Sequence, residues 1–463
     1  MENNFFTGYK FVAAANLYKN YGGLAIYTKF KPRNRSANIS VKDCGKNFIH
    51  YDTPDREVVL VRNSFSDDAF RPHGFDLCLD LNTFKDDVCK NIGLDYVMTN
   101  YIHDSSNVGR GHVAEESKQV QILSDSGGLQ LVRGVSSLIH PKDLVEFYNK
   151  NVDAGMILDL PLFTVTDDVT TKRAAVLQKR NNEVMIKHSR PGLELLNIFH
   201  GGSITSRQSY RDIVETDKIN RVAIGGLGYQ KPLTGVNTIY EIVLGGSFRY
   251  KQYHVLGIFD MGYLPLMVKI ANSGENPPHI TSDSTSHVQA SLNNVWHSHL
   301  SDQQIMSRIA LGTQSGSVGN KAITINCSCP ICSSLKYRDL FAFGHNRFNG
   351  FMALHNAIEM VKYTSSLQEA CLSMSPHEYN RYVMTQLRRA KNRDDVKMAL
   401  DFIDVVTEHG LKKAQLKYKH HIGKWNAASE AGTALFSTGE EQPDATREQV
   451  LSTLSALEKQ LEK

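Results

Sequence analysis

Short apolar runs, each ending on a polar or glycine-rich tip, recur along this chain at residues 75–81, 96–100, 120–125, 155–159, 195–200, 222–226, 254–258 and 279–283. Stretches of helical period lie between them, such as 141–149 and 167–187. Eight strand-like runs alternating with helices over about 210 residues predict an α/β fold, a (β/α)8 TIM barrel, whose usual length is about 250 residues. A doubly wound open sheet carries the same local signature and is the alternative on periodicity alone.

In such barrels the chemistry gathers where the strands end. Here the tips carry Asp125, Asp159, His200, Gly226 and Asp283. Any one strand-terminal aspartate reads equally well as a helix N-cap. Four ionisable tips and a glycine pair together point to a site.

The flanks behave differently. Residues 1–70 mix aromatic, glycine and basic positions and are expected as an N-terminal segment added to a barrel spanning 71–365. Residues 366–463 are expected as a helical, basic C-terminal extension, with one continuous helix over 378–407, a break at Gly410 and another helix over 411–424. A linker-like stretch, 431–445, leads to an amphipathic helix with leucines at 451, 454, 457 and 461, whose apolar stripe needs a partner. Arg388, Arg389, Lys391 and Arg393 form one basic cluster, and Lys412, Lys413, Lys417, Lys419, His420 and His421 another, with Tyr418 and Trp425 nearby. Such clusters suit a phosphate backbone or, equally, an ordinary solvated helix face.

Cys327-Ser328-Cys329-Pro330-Ile331-Cys332, with His355 following, brings a further expectation. Three thiols in a CxCxxC spacing wrap a turn of backbone around a metal, and an imidazole from a following helix closes the fourth corner. That is the Cys3His ligation of a structural Zn2+, placed as an insertion over 321–360. Cys44, Cys78, Cys89 and Cys371 are scattered singly and read as ordinary thiols.

A hydrophobic content of 41% and a charged content of 22% suit a globular chain in water. No apolar stretch reaches the ~20 residues that span a bilayer, and the start lacks a secretory pattern, so no membrane association and a cytoplasmic location are expected. The net charge of +4 is small, so any nucleic-acid partner must be drawn by local patches.

Ser124-Asp125-Ser126-Gly127-Gly128-Leu129-Gln130 resembles the DSGGFQ signature of tRNA-guanine transglycosylases. Leu158-Asp159, Phe199-His200-Gly201-Gly202, Ala223-Ile224-Gly225-Gly226-Leu227, Val255-Leu256-Gly257, Ser282-Asp283-Ser284 and the cysteine motif resemble that family's further motifs, in its order, across roughly 75–360. The resemblance implies a zinc-bearing barrel that exchanges a base at an N-glycosidic bond. Asp283 would be the nucleophile that captures the sugar carbon, and Asp125 the acid/base that relays protons to the departing and incoming bases. Two displacements would retain the anomeric configuration. Ser126, Asp159, His200, Gly226 and Leu227 would bind the base by hydrogen bonds, and Leu129 and Leu256 by apolar contact. His200 stands where the family has glutamine, and it reads alternatively as a packed core histidine.

Three departures bear on the substrate. The family's arginine-bearing segment after the nucleophile is replaced by Ser284-Thr285-Ser286-His287-Val288-Gln289-Ala290, which removes the contacts expected for an anticodon. Leu129 and Leu256 replace an aromatic and a methionine. Lys231 lies where a glutamate would favour an aminomethyl cation, so the incoming base is expected to be neutral at its 7-substituent. Together these resemble the branch acting on DNA, in which guanine is exchanged for a 7-deazaguanine base such as 7-cyano-7-deazaguanine. DNA is therefore the expected polymer partner and tRNA the alternative; accessory modification proteins and a homodimer are compatible with this branch. A catalytically inactive nucleic-acid-binding relative and a plain glycosidase are the remaining readings.

Overall fold

A computed structural model of the protein describes residues 8–14, 24–30, 40–43, 48–52, 56–62, 76–80, 95–104, 121–134, 137–162, 167–200, 204–227, 230–246, 248–258, 262–292, 295–300, 305–310, 327, 329, 331–332, 349–388, 392–422 and 447–461. Its centre is a closed barrel of eight parallel strands. The first is β1 (Tyr9–Ala14). A five-stranded antiparallel sheet follows in sequence: β2 (Leu24–Phe30), β3 (Ser40–Asp43), β4 (Phe48–Asp52), β5 (Arg56–Arg62) and β6 (Asp76–Asp80). The barrel resumes with β7 (Tyr96–Asn100), β8 (Gln121–Asp125), β9 (Ala154–Met156), β10 (Glu194–Phe199), β11 (Arg221–Ile224), β12 (Gln252–Val255) and β13 (Ile280–Ser284), and β1 closes it between β7 and β13. A hairpin, β14 (Val295–Leu300) and β15 (Ile305–Ala310), comes next.

The period of two along each strand builds two cores. Val12, Tyr96, Met98, Leu123, Ala154, Met156, Leu196, Ile198 and Ala223 fill the barrel interior, with Leu256 packed against them. Their neighbours, such as Val97, Ile122, Phe199, Val222 and Val255, join the larger core beneath the helices. Burial on both faces explains why these strands read as nearly unbroken apolar runs.

Two expectations are corrected. The run 75–81 is not a barrel strand; residues 76–80 pair with β2 in the antiparallel sheet, and the opening strand, Tyr9–Ala14, lies inside the segment expected to precede the barrel. The helix expected over 378–407 is two helices, Pro376–Gln386 and Arg393–His409. The first begins with a capping box between Ser375 and Glu378. Gly410, at φ 83°, separates the second from the next helix, as expected, but that helix is Leu411–Lys417, shorter than the 411–424 expected, with a turn over 418–422. These helices lie along the barrel's flank, against helices Pro232–Gly245 and Tyr263–Ile270. Lys269 pairs there with Asp404 at 2.5 Å.

The last helix, Arg447–Leu461, finds its partner within the chain. It packs on helices Asp168–His188 and Gly128–Val132, burying Val450, Leu454 and Leu457. Arg173 grips Glu458 through two hydrogen bonds of 3.1 and 2.6 Å. Among the described residues no helix is long and apolar enough to cross a membrane.

Candidate functional site

The barrel parity that buries Leu123, Ile198 and Ala223 also aims the residues two positions later, Asp125, His200 and Gly225, toward the C-terminal mouth. Asp283 follows Thr281 inward on β13 in the same way. Asp125 ends β8, where Asn100, its cross-strand neighbour on β7, donates to its Oδ2 at 2.7 Å. Burial pushes the Asp125 carboxyl up to about 7, and the nearby charges of Asp159 and Asp283 add to the rise. Hydrogen bonds from the Gly127 backbone and from Asn100 offset part of it. Three carboxyl groups therefore share one mouth, and one of them takes up a proton near neutrality.

Asp159 is buried and doubly held. Ser126 Oγ donates to its Oδ1 at 2.6 Å, and His200 Nε2 meets its Oδ2 at 2.8 Å. Asn181 donates to the carbonyl of Leu158 at 2.9 Å, which fixes the backbone beside it. The glycines of the two signature motifs create the room. A Cβ on Gly128 would lie 2.6 Å from the Asp159 carbonyl oxygen, and one on Gly225 would lie 2.6 Å from the His200 ring. His200 is packed as a core histidine, its ring buried edge-on to Tyr210, and the Nε2 expected to meet the base lies instead 2.8 Å from Asp159 Oδ2, where it fixes that carboxylate's orientation.

Asp283 sits near the end of β13, buried, with Oδ1 accepting from the Gly257 amide at 2.7 Å and meeting His254 Nε2 at 3.3 Å. Gly226 has open space where a side chain would stand, and Leu227 is buried behind it. Leu129 and Leu256 are both partly exposed, on the first turn after the Asp125 motif and just beyond β12. Gly201 and Gly202 lie outside the described residues. Lys231 is exposed at the start of helix Pro232–Gly245, while Gln230 packs inward and accepts from Thr238. Sequence reasoning missed Asn100, His254 and Thr281, and gave Gly257 no role beyond its motif. The three missed residues are polar positions within or at the end of buried barrel strands.

The second cluster is Cys327, Cys329, Cys332 and His355, whose donor atoms all lie within 4.8 Å of one another. Tetrahedral bonds of about 2.3 Å set ligand atoms roughly 3.8 Å apart, so the four fit around one metal ion. Backbone amides support the sulfurs: Cys329 N donates to Cys327 Sγ at 3.5 Å and Cys332 N to Cys329 Sγ at 3.3 Å. The Cys329 thiol is lowered to about 4, first by its hydrogen bond with Cys327 and then by that with Cys332. His355 Nε2 donates to the carbonyl of His297 at 2.7 Å, leaving the Nδ1 lone pair facing the sulfurs. Lys362 Nζ, 3.8 Å from Cys327 Sγ, supplies positive charge beside three sulfurs.

This cluster is tied to the mouth. His355 and Asn356 lie on helix Asn349–Ser373, which packs against helix Ser286–Leu292, directly after β13. Asn356 donates to the carbonyls of His287 and Val295 and accepts from the His297 amide. Gln368, from the same helix, accepts from the Tyr9 amide at the start of the barrel. A metal at the cysteines would hold the helix that braces the Asp283 strand.

The basic clusters are placed in part. Arg388, Arg393, Lys412, Lys413, Lys417, Lys419, His420 and His421 are exposed, whereas Arg389, Lys391 and Trp425 lie outside the described residues. Tyr418 is no stacking platform: it is buried edge-on to Phe402, with Lys417 over its ring.

No protein-family model matches this sequence, and no curated protein matches it.

Proposed function

We propose that this chain is a base-exchanging transglycosylase that replaces guanine in DNA with a 7-deazaguanine base, and that Zn2+ is the metal of its Cys3His site. The observation that carries the reading is the pairing of Asp125, raised to about 7, with Asp283, whose Oδ2 has no partner among the described residues while Oδ1 is held by Gly257 and His254. One carboxyl group able to give and take a proton at neutral pH, beside another oriented as a nucleophile, is what double displacement at a glycosidic carbon requires. In this reading Asp283 bonds to the sugar as guanine leaves, and Asp125 gives that guanine its proton. Asp125 then takes the proton of the incoming base, which displaces Asp283 from the sugar. Asp159, oriented by Ser126 and His200, accepts hydrogen bonds from the base's N1–H and amino edge, and the amides beyond β11 face its O6.

The segment after Asp283 favours DNA over tRNA. Ser286, His287, Ala290 and Ser291 are buried in helix Ser286–Leu292, so this stretch packs the zinc-bearing helix and presents no arginine to an anticodon. Exposed Arg388, Arg393, Lys412 and Lys413 supply local positive charge for a phosphate backbone. A target in a duplex must be unstacked before its sugar bond can be reached, at a few kcal/mol, so an opened site should react faster.

The test is to incubate the protein with DNA or tRNA and labelled 7-deazaguanine base, digest the polymer to nucleosides, and locate the label. Label in DNA, with a protein–DNA adduct that disappears in Asp283→Asn, is the expected result. Label in tRNA alone would overturn the polymer, and undiminished exchange by Asp283→Asn would overturn the mechanism.

A further inference from the structure

The barrel interior is apolar at its centre, yet a line of polar side chains runs through β10–β13 toward Asp283. Glu194 on β10 pairs with Arg221 on β11. Arg221 Nη1 donates to Gln252 Oε1 on β12 at 2.5 Å. Gln252 Nε2 donates to Thr281 Oγ1 on β13 at 2.9 Å. Thr281 Oγ1 lies 2.8 Å from His254 Nδ1, and His254 Nε2 lies 3.3 Å from Asp283 Oδ1. Arg221, Gln252, Thr281 and His254 are all buried, so water offers them no alternative partners.

The direction of every link in this line is determined. A guanidinium only donates, so Gln252 must turn its oxygen to Arg221 and its NH2 to Thr281. The Thr281 oxygen then accepts from Gln252, and its own proton, which has no other acceptor among the described residues, goes to His254 Nδ1. With Nδ1 accepting, a neutral imidazole carries its proton on Nε2 and donates it to Asp283. We infer that His254 is a positioning residue for Asp283, locked as the Nε2–H tautomer by Thr281 and Gln252. Its job is to hold Oδ1, together with the Gly257 amide, so that Oδ2 is the atom presented to the sugar. The lock is set at the opposite end of the line by the Glu194–Arg221 pair. Its catalytic consequence rests on the transglycosylase reading; the tautomer does not.

The experiment has two arms. In the first, 15N-histidine-labelled wild-type protein is examined by NMR at neutral pH, with His254 assigned by the resonances lost in His254→Phe or, where that variant does not fold, in His254→Gln. An Nε2–H tautomer is expected in the wild type, with its bare Nδ1 resonance shifted in Thr281→Val by loss of the hydroxyl proton it accepts, while the Asp283 carboxylate keeps the proton on Nε2. An Nδ1–H tautomer or a doubly protonated ring in the wild type would overturn the inference, as would an Nδ1 resonance unmoved in Thr281→Val. In the second, exchange is followed kinetically. Thr281→Val and His254→Phe should each lower kcat roughly tenfold, the worth of one lost hydrogen bond. KM for the base should be unchanged, and His254→Gln, whose amide N–H lies near the place of Nε2, should recover most of the loss. A fall in base affinity with kcat intact, or no recovery by glutamine, would refute the positioning role. If the wild type shows the expected tautomer but no base exchange, the functional reading fails while the hydrogen-bond line stands.

Discussion

Replacing Asp125 by asparagine should stabilise this protein in alkaline solution, while removing the proton relay proposed for it. The native carboxyl is raised from 3.8 to about 7, so between those values the folded state binds a proton that the unfolded state has released. Stability then falls as pH rises through this window, is fully present below about 4, and is lost above about 7. The gap between 3.8 and about 7 corresponds to roughly 4 kcal/mol at 1.36 kcal/mol per pH unit. Asp125 keeps part of its surface at the mouth, and its charge is coupled to Asp159 and Asp283, so about half of that ceiling is the realistic figure. Asparagine does not titrate, and its changes in packing and hydrogen bonding are nearly independent of pH. The stability difference between variant and wild type, measured by urea unfolding at pH 5 and again at pH 8, therefore isolates the carboxyl. It should move in the variant's favour by about 1–2 kcal/mol over that interval. A difference that stays constant, or that moves toward the wild type, would show that Asp125 titrates at an ordinary value and would remove its qualification as an acid at neutral pH.

Metal analysis should find one zinc per chain, and Cys329→Ser or a strong chelator should remove it with a large loss of thermal stability, since structural zinc contributes on the order of 10 kcal/mol; full stability without metal would refute the assignment. Gly128→Ala places a methyl 2.6 Å from a backbone oxygen of Asp159 and 2.7 Å from its Oδ1, so unfolding measurements should show a loss of about 1–3 kcal/mol and titration should show weakened base binding. A neutral effect would mean that the two segments are not in contact. Arg173→Ala should cost less than about 1 kcal/mol in denaturant unfolding, because the pair with Glu458 is partly exposed. Leu454→Ala, at a fully buried position on the same helix, should cost about 2–5 kcal/mol; equal effects of the two would refute the packing described for that helix.

The barrel was legible because parallel strands buried on both faces produce compact apolar runs, and because its mouth is marked by residues that do not belong at the end of an apolar strand. Its opening strand was not. Tyr9–Ala14 is a sound apolar run, but an inserted antiparallel sheet separates it from β7 and breaks the strand–helix rhythm. Residues 76–80 offered a warning: Asp76, Cys78 and Asp80 alternate with Leu77 and Leu79, the pattern of a half-buried antiparallel strand. The helix break was hidden for another reason. Residues 387–391 are all acceptable helix formers, and the only sign of a new start is Asn392 ahead of Asp394 and Asp395, a cap followed by an acidic first turn. The four residues of the candidate metal cluster and the three mouth carboxylates could be named from spacing and position. The line from Arg221 to His254 could not, because its direction depends on which side chains meet across strands.

Closure of the barrel by β1 also sets an order on folding. Val12 pairs with Asp283 across about 270 residues of chain, and Tyr9 bonds Ser282 beside it. Contacts between such distant segments form late, after the local strand–helix units have assembled. The strand bearing Asp283 therefore gains its second neighbour only at the final step, when both edges of an open sheet meet around β1. On this route the protein has no partly folded form with a working mouth. In refolding experiments, amide protection at Phe11–Ala13 and 282–284 should arrive together, after that of β10 and β11, and base binding should return only with it.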